Sequence, residues 1–137
     1  MERNMSNARF ILMSGVFLMS VVSCSSSPGG PGGTICTAEA RPALTVFVRD
    51  SSSGAPIGRG SKATAADGIF VATATYPGGT QDDLPLSLAH ERAGTYTVVV
   101  TKPGYRDWRA SGVRVTRDEC HVITVTLTAR LELSTVM

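Results

Sequence analysis

The sequence predicts an all-β fold, a single antiparallel β-sandwich of about seven strands, and three observations predict it. Short segments alternate apolar and polar residues with the period of a half-buried strand. Turn chemistry separates them, in Asp50–Pro56, Asp67-Gly68, Pro77-Gly78-Gly79, Ala93-Gly94 and Pro103-Gly104. Beyond the first stretch of the chain, no window sustains a helical period.

That first stretch stands apart from the fold. Met1–Arg9 carries Arg3 and Arg9, and Phe10–Val22 is apolar apart from small residues. Such a run is too short to cross a hydrocarbon core of about 30 Å as a helix. It has the length of the apolar region of a secretory signal, so residues 1–23 read as a helical signal peptide. Val21-Val22-Ser23-Cys24 resembles the bacterial lipobox, in which cleavage precedes a cysteine whose thiol becomes lipid-modified. The resemblance implies that Cys24 opens the mature chain and carries acyl chains, and several such chains anchor firmly where one is marginal. An ordinary signal peptide with an incidental cysteine is the alternative. Ser25, rather than an aspartate, resembles the pattern sent to the outer membrane of Gram-negative bacteria. Residues 24–35, with Ser25-Ser26-Ser27-Pro28-Gly29-Gly30-Pro31-Gly32-Gly33, are too polar and Gly-rich to bury anything and read as a tether.

Residues 36–137 remain as one domain, long enough for a modest core. With Cys24 lipidated, Cys36 and Cys120 are left as an even pair in an oxidising compartment, which suggests a disulfide. Two buried free thiols are the competing reading. A zinc site is disfavoured, because His90 and His121 form no short ligand pairing with the cysteines. The formal net charge of +2 and the scattered Lys and Arg residues give no footprint for nucleic acid.

The strands follow in order. Leu44, Val46 and Val48 share one face of the first. Ser61–Ala66 is a weak second, closed by Asp67-Gly68, a strong hairpin dipeptide, before its partner Ile69–Tyr76. Leu84, Leu86, Leu88 and His90 alternate across Pro85, which suits an edge strand. Thr95–Thr101 puts Tyr96, Val98 and Val100 together. Gly112–Thr116 and His121–Ala129 supply the last two, the latter burying Ile123, Val125 and Leu127.

Gly94–Tyr105 (GTYTVVVTKPGY) resembles the signature of carboxypeptidase regulatory-like domains, which are Greek-key sandwiches of the transthyretin type. Leu44–Asp50, Gly54-Ala55-Pro56-Ile57 and Asp67-Gly68 also fit, so the likeness spans residues 43–129. It implies that the first and last strands are neighbours, which would bring Cys36 and Cys120 close. Tyr96 and Tyr105 would then cover the sandwich edge with their hydroxyls on backbone partners, and Gly104 would supply φ freedom for the turn.

No cofactor is called for, and no residue reads as catalytic. There is no nucleophile elbow and no phosphate loop. His90 reads as a solvated strand end, His121 as structural, and Asp82-Asp83 as a solvated loop. The transthyretin type includes hydroxyisourate-type hydrolases, but their Tyr-Arg-Gly-Ser-type ending is absent from Leu133–Met137. The candidate binding residues are Tyr105, Arg106, Trp108 and Arg109, placed in a loop or edge, since aromatic and Arg side chains concentrate binding energy at interfaces. The plainer reading has Trp108 capping the core while the arginines stay in water. The expected protein is a non-catalytic accessory or interaction module of the bacterial cell envelope. It would be membrane-held through its lipid anchor, with an envelope protein or a cell-wall glycan as partner.

Overall fold

The computed structural model describes residues 33–135. Cys24, the expected signal peptide and most of the expected tether lie outside them. The described chain is all-β, with seven strands: β1 (Leu44–Asp50), β2 (Lys62–Asp67), β3 (Phe70–Thr75), β4 (Leu86–Leu88), β5 (Gly94–Thr101), β6 (Trp108–Val115) and β7 (Val125–Leu131). They form a three-stranded sheet in the order β4-β1-β7 and a four-stranded sheet in the order β3-β2-β5-β6.

Strands reverse at every connection, so odd and even strands run in opposite directions. β1 and β7 therefore run the same way, and as neighbours they pair in parallel, from Leu44↔Val125 to Asp50↔Leu131. This corrects the expectation of a purely antiparallel arrangement. The reversals also sort the connections between two ends. One end holds residues 33–43 and the β2–β3, β4–β5 and β6–β7 links; the other holds the β1–β2, β3–β4 and β5–β6 links and residues 132–135.

Alternation decides which side chains meet between the sheets. Leu44, Val46 and Val48 of β1, Leu86 and Leu88 of β4, and Ala129 and Leu131 of β7 join Ala63 and Ala65 of β2 and Tyr96, Val98 and Val100 of β5 in one buried cluster. Burying each Val or Leu side chain contributes about 1.5–3 kcal/mol. β2 is the inner partner of both β3 and β5, although its alternation rests on alanines, which explains its faint signal. Asp67 and Phe70 close the expected hairpin, with Gly68 at φ 59° and Ile69 at the tip.

Four expectations need correction. β4 is confined to Leu86–Leu88; Pro85 precedes it, and Ala89 and Glu91 at φ 53° and 52° turn the chain before His90 can extend it. β6 begins at Trp108, not Gly112. Tyr96 pairs Val113 while Val98 pairs Ala110, so β6 carries one extra residue at a bulge where Gly112 takes φ 70°. The bulge interrupts the alternation and hides the strand's first half. In β7 the inward face is the expected one, but burial deepens toward Ala129 and Leu131, and Ile123 lies before the strand, 54% exposed. Tyr96, expected at an edge, is fully enclosed, and its hydroxyl donates to the Arg92 carbonyl at 2.7 Å.

Candidate functional site

Each end of the molecule brings distant chemistry together. At the end where residues 33–43 enter, Cys36 and Cys120 are joined in a disulfide with Cα atoms 5.2 Å apart. Beside it, His121 is buried, its ring only 9% exposed. Its Nδ1 lies 2.9 Å from Oε1 of Glu91, and its Nε2 lies 3.0 Å from Oγ1 of Thr37. A carboxylate only accepts, so the Nδ1 position donates to Glu91, while Nε2 and the Thr37 hydroxyl share the second hydrogen bond. Glu91 also accepts the Arg41 backbone N–H at 2.7 Å, and this bond is the main reason its carboxyl sits below the usual range. Its own N–H donates to the Arg41 carbonyl. Three segments far apart in sequence (36–41, 89–92 and 118–122) are thus fastened around one imidazole.

Hydroxyl, imidazole and carboxylate in line are also the parts of an activated nucleophile. Acyl chemistry further needs N–H donors for the developing oxyanion. Cys120 N–H and His121 N–H, two backbone donors next to the ring in sequence, are both spent on Oδ1 of Asp118 at 2.8 Å. Those bonds, His121 first, hold the Asp118 carboxyl below its usual range. What the arrangement does well is hold a chain segment. An open groove of about 480 Å³ runs past it, lined by Thr34, Ile35, Arg41 and Glu119 among others. Sequence alone placed His121 beside the disulfide but gave no sign of Glu91 or Thr37 as its partners.

At the opposite end, the predicted binding residues are partly gathered. Trp108 opens edge strand β6, half-buried against the core, the edge of the two placements, loop or edge, that the sequence offered. A shallow groove of about 240 Å³ is lined by Arg106, Asp107, Trp108 and Arg109 together with Arg130 and Glu132 from the β7 side. Tyr105 is not part of it: it is half-buried, with Lys102 Nζ 5.8 Å from its ring centroid. Arg106 makes a loose 3.7 Å pair with Glu132, while Arg109 and Arg130 have no ion pair among the described residues. The β7 contribution was invisible in sequence, because it depends on how the two sheets meet.

The remaining polar candidates are structural ties. Asp82 accepts the Arg59 backbone N–H and side chain, and Asp83 pairs with Arg49 at 2.6 Å, so the Asp82-Asp83 loop is bound rather than merely solvated. His90 is exposed in the turn after β4. Among the described residues, no group of three or more His, Cys, Asp or Glu side chains is placed to hold a metal.

Residues 83–131, from just before β4 to the end of β7, match the model of the PEGA domain. The stretch takes in Glu91, His121, Cys120 and all of the Trp108 groove except Glu132, and covers under half of the chain. No curated protein and no solved structure matches it.

Proposed function

We propose that the protein is a lipid-anchored component of the bacterial cell envelope whose β-domain is a non-catalytic accessory module for another envelope protein. The observation that carries the reading is the disulfide, 12 residues after the lipobox cysteine, fastening the incoming chain to the domain. Such a bond persists in oxidising compartments, and it transmits any pull from an anchor at Cys24 straight into the sandwich. The PEGA likeness, that of a small β-domain of extracellular and periplasmic proteins, is compatible with this role. The fold family would be the carboxypeptidase regulatory-like one, a Greek-key sandwich of the transthyretin type. Adjacent first and last strands and the Gly94–Tyr105 signature support that assignment.

The test is cross-linking in intact cells followed by recovery from the envelope fraction. A stoichiometric protein partner is expected, with acyl mass on Cys24 that disappears in Cys24→Ala; recovery without any partner protein would reject the accessory role. The Trp108 groove supports a second reading, a glycan-binding module, since a half-buried ring in a groove also lined by Arg106, Arg109 and Arg130 can stack on a sugar. Recovery of cell-wall glycan alone, lost in Trp108→Ala, would favour it.

A further inference from the structure

We infer that the disulfide end of the domain is a membrane-docking face, on which Ile35, Ile69 and Ile123 enter the interface of a lipid bilayer. The inference rests on the proposed anchor at Cys24. Most of the large apolar side chains that the fold leaves in water lie at this end. Ile35 is 95% exposed, Ile69 at the hairpin tip is fully exposed, and Ile123 is 54% exposed, with Val71 behind Ile69 on β3. Leu84 and Leu133 are the only counterparts at the other end among the described residues. Scattered exposed apolar residues need no explanation, but a set gathered at one end marks an interaction surface.

The isoleucines are mounted on fixed supports. Ile35 adjoins the Cys36–Cys120 bridge. The Ile69 hairpin is held by Asp67, whose Oδ2 meets Arg92 Nη1 at 2.7 Å, while the same guanidinium lies 4.1 Å from the Phe70 ring centroid. Ile123 follows fully buried Val122, and its N–H donates to Thr116. Arg92 is next to Glu91, which binds His121, so one set of contacts fixes all three positions relative to one another.

Where the chain outside the structure attaches says what covers this face. It enters at this end, and the 12 residues from Cys24 to Cys36 reach at most about 40 Å fully extended. As a coil, a chain of that length averages about 20 Å end to end. An acylated Cys24 therefore keeps this end at the lipid surface. Charge does not drive the contact: Arg41, Arg92, Arg114 and Arg117 are offset there by Glu39, Asp67, Glu91, Asp118 and Glu119. Apolar insertion does, and neutral lipids should suffice. The Trp108 groove then faces away from the membrane, toward a partner.

Native Trp108, at the far end, makes an internal control. The lipidated mature protein and its Ile69→Trp variant would be reconstituted into phosphatidylcholine vesicles carrying brominated acyl chains. The indole introduced by I69W is expected to emit to the blue of its position in detergent-free buffer and to be strongly quenched, while Trp108 emission is unchanged. A second variant, Ile123→Trp, should behave like the first. Acylated Cys24 with both introduced indoles unquenched would overturn the docking face and leave the anchor standing. A mature chain without acyl mass on Cys24 would overturn both.

Discussion

The two ends of this molecule are held together by different physics. At the end where the chain enters, a covalent bridge and a buried imidazole join three loops, and the carboxylate partner of that imidazole, Glu91, is met by the Arg41 backbone N–H. At the far end, loops are joined by solvated ion pairs, Arg49 with Asp83 and Arg59 with Asp82, laid over the packing of Tyr76 on Gly58. The difference suits the proposed role: an anchor at Cys24 would pull on the first end, and the second presents a surface to water. Buried, directional contacts resist displacement, whereas exposed ion pairs contribute little.

The largest effect should come from the covalent tie. Cys120→Ser removes a bridge that closes a loop spanning 84 positions, and about 4 kcal/mol of stability should go with it on the chain-entropy account. Urea unfolding of the wild type with and without reductant measures the same quantity without a substitution. A midpoint unmoved by reduction would mean that the far end and the core alone set stability.

Second comes a test of whether the far end has a hard element of its own. Gly58 is not at positive φ; it is required for space. A Cβ there would lie 2.2 Å from the Tyr76 ring and 2.7 Å from the Asp82 carbonyl oxygen. Tyr76 cannot easily yield, because its hydroxyl donates to the Gln81 carbonyl and accepts the Leu84 N–H. Gly58→Ala should therefore destabilise by about 1–3 kcal/mol, the cost of overpacking. Gly54→Ala, with open space around it but φ 73°, should cost about 1 kcal/mol from backbone strain alone. Equal losses would show that the Tyr76 ring moves aside.

How much of this was legible in the residues depends on whether the information was local. The Asp67-Gly68 hairpin, the Tyr96-Val98-Val100 face and the turn at Gly104 (φ 84°) are local matters of alternation and φ, and they read directly. The first half of β6 did not, because the Gly112 bulge shifts its alternation by one residue. The parallel pairing of β1 with β7 needed only a count of reversals, given that the strands are neighbours. The candidate sites are different in kind. Glu91 and Thr37 reach His121 across 30 and 84 positions, and Arg130 reaches the Trp108 groove from the other sheet. No spacing in the chain announces such meetings.

Acid should act on both ends together. Asp50 is held at about 2, chiefly by the Ser52 hydroxyl and then by Ser53, and Asp82, Glu91 and Asp118 are all lowered by hydrogen bonds. Each is depressed in the folded state, so its contribution is complete above the ordinary carboxylate range and is lost as pH falls through the folded value. Stability should be flat from pH 7 to about 5 and fall between about 4 and 2. Asp50→Asn should be less stable at neutral pH and lose less on acidification. An acid slope unchanged in that variant would place the sensitivity at the other three carboxylates.

The smallest effect is expected where the pair looks strongest on distance alone. Arg49 Nη2 lies 2.6 Å from Asp83 Oδ1, but the Asp83 side chain is 57% exposed. Water already solvates both charges at such a site, so bringing them together gains little and costs side-chain freedom. Asp83→Asn should shift stability by no more than about 1 kcal/mol, and less in high salt, where exposed pairs are screened. Arg49 stands on β1 beside Arg130 of β7, its register partner in the parallel pair, so two like charges sit on neighbouring strands. Arg49→Gln should for that reason be milder than Asp83→Asn, because it removes a repulsion along with the attraction. A double-mutant cycle over Arg49 and Asp83 separates the two terms, and a coupling well above 1 kcal/mol would mean that the far end, too, is held by its charges.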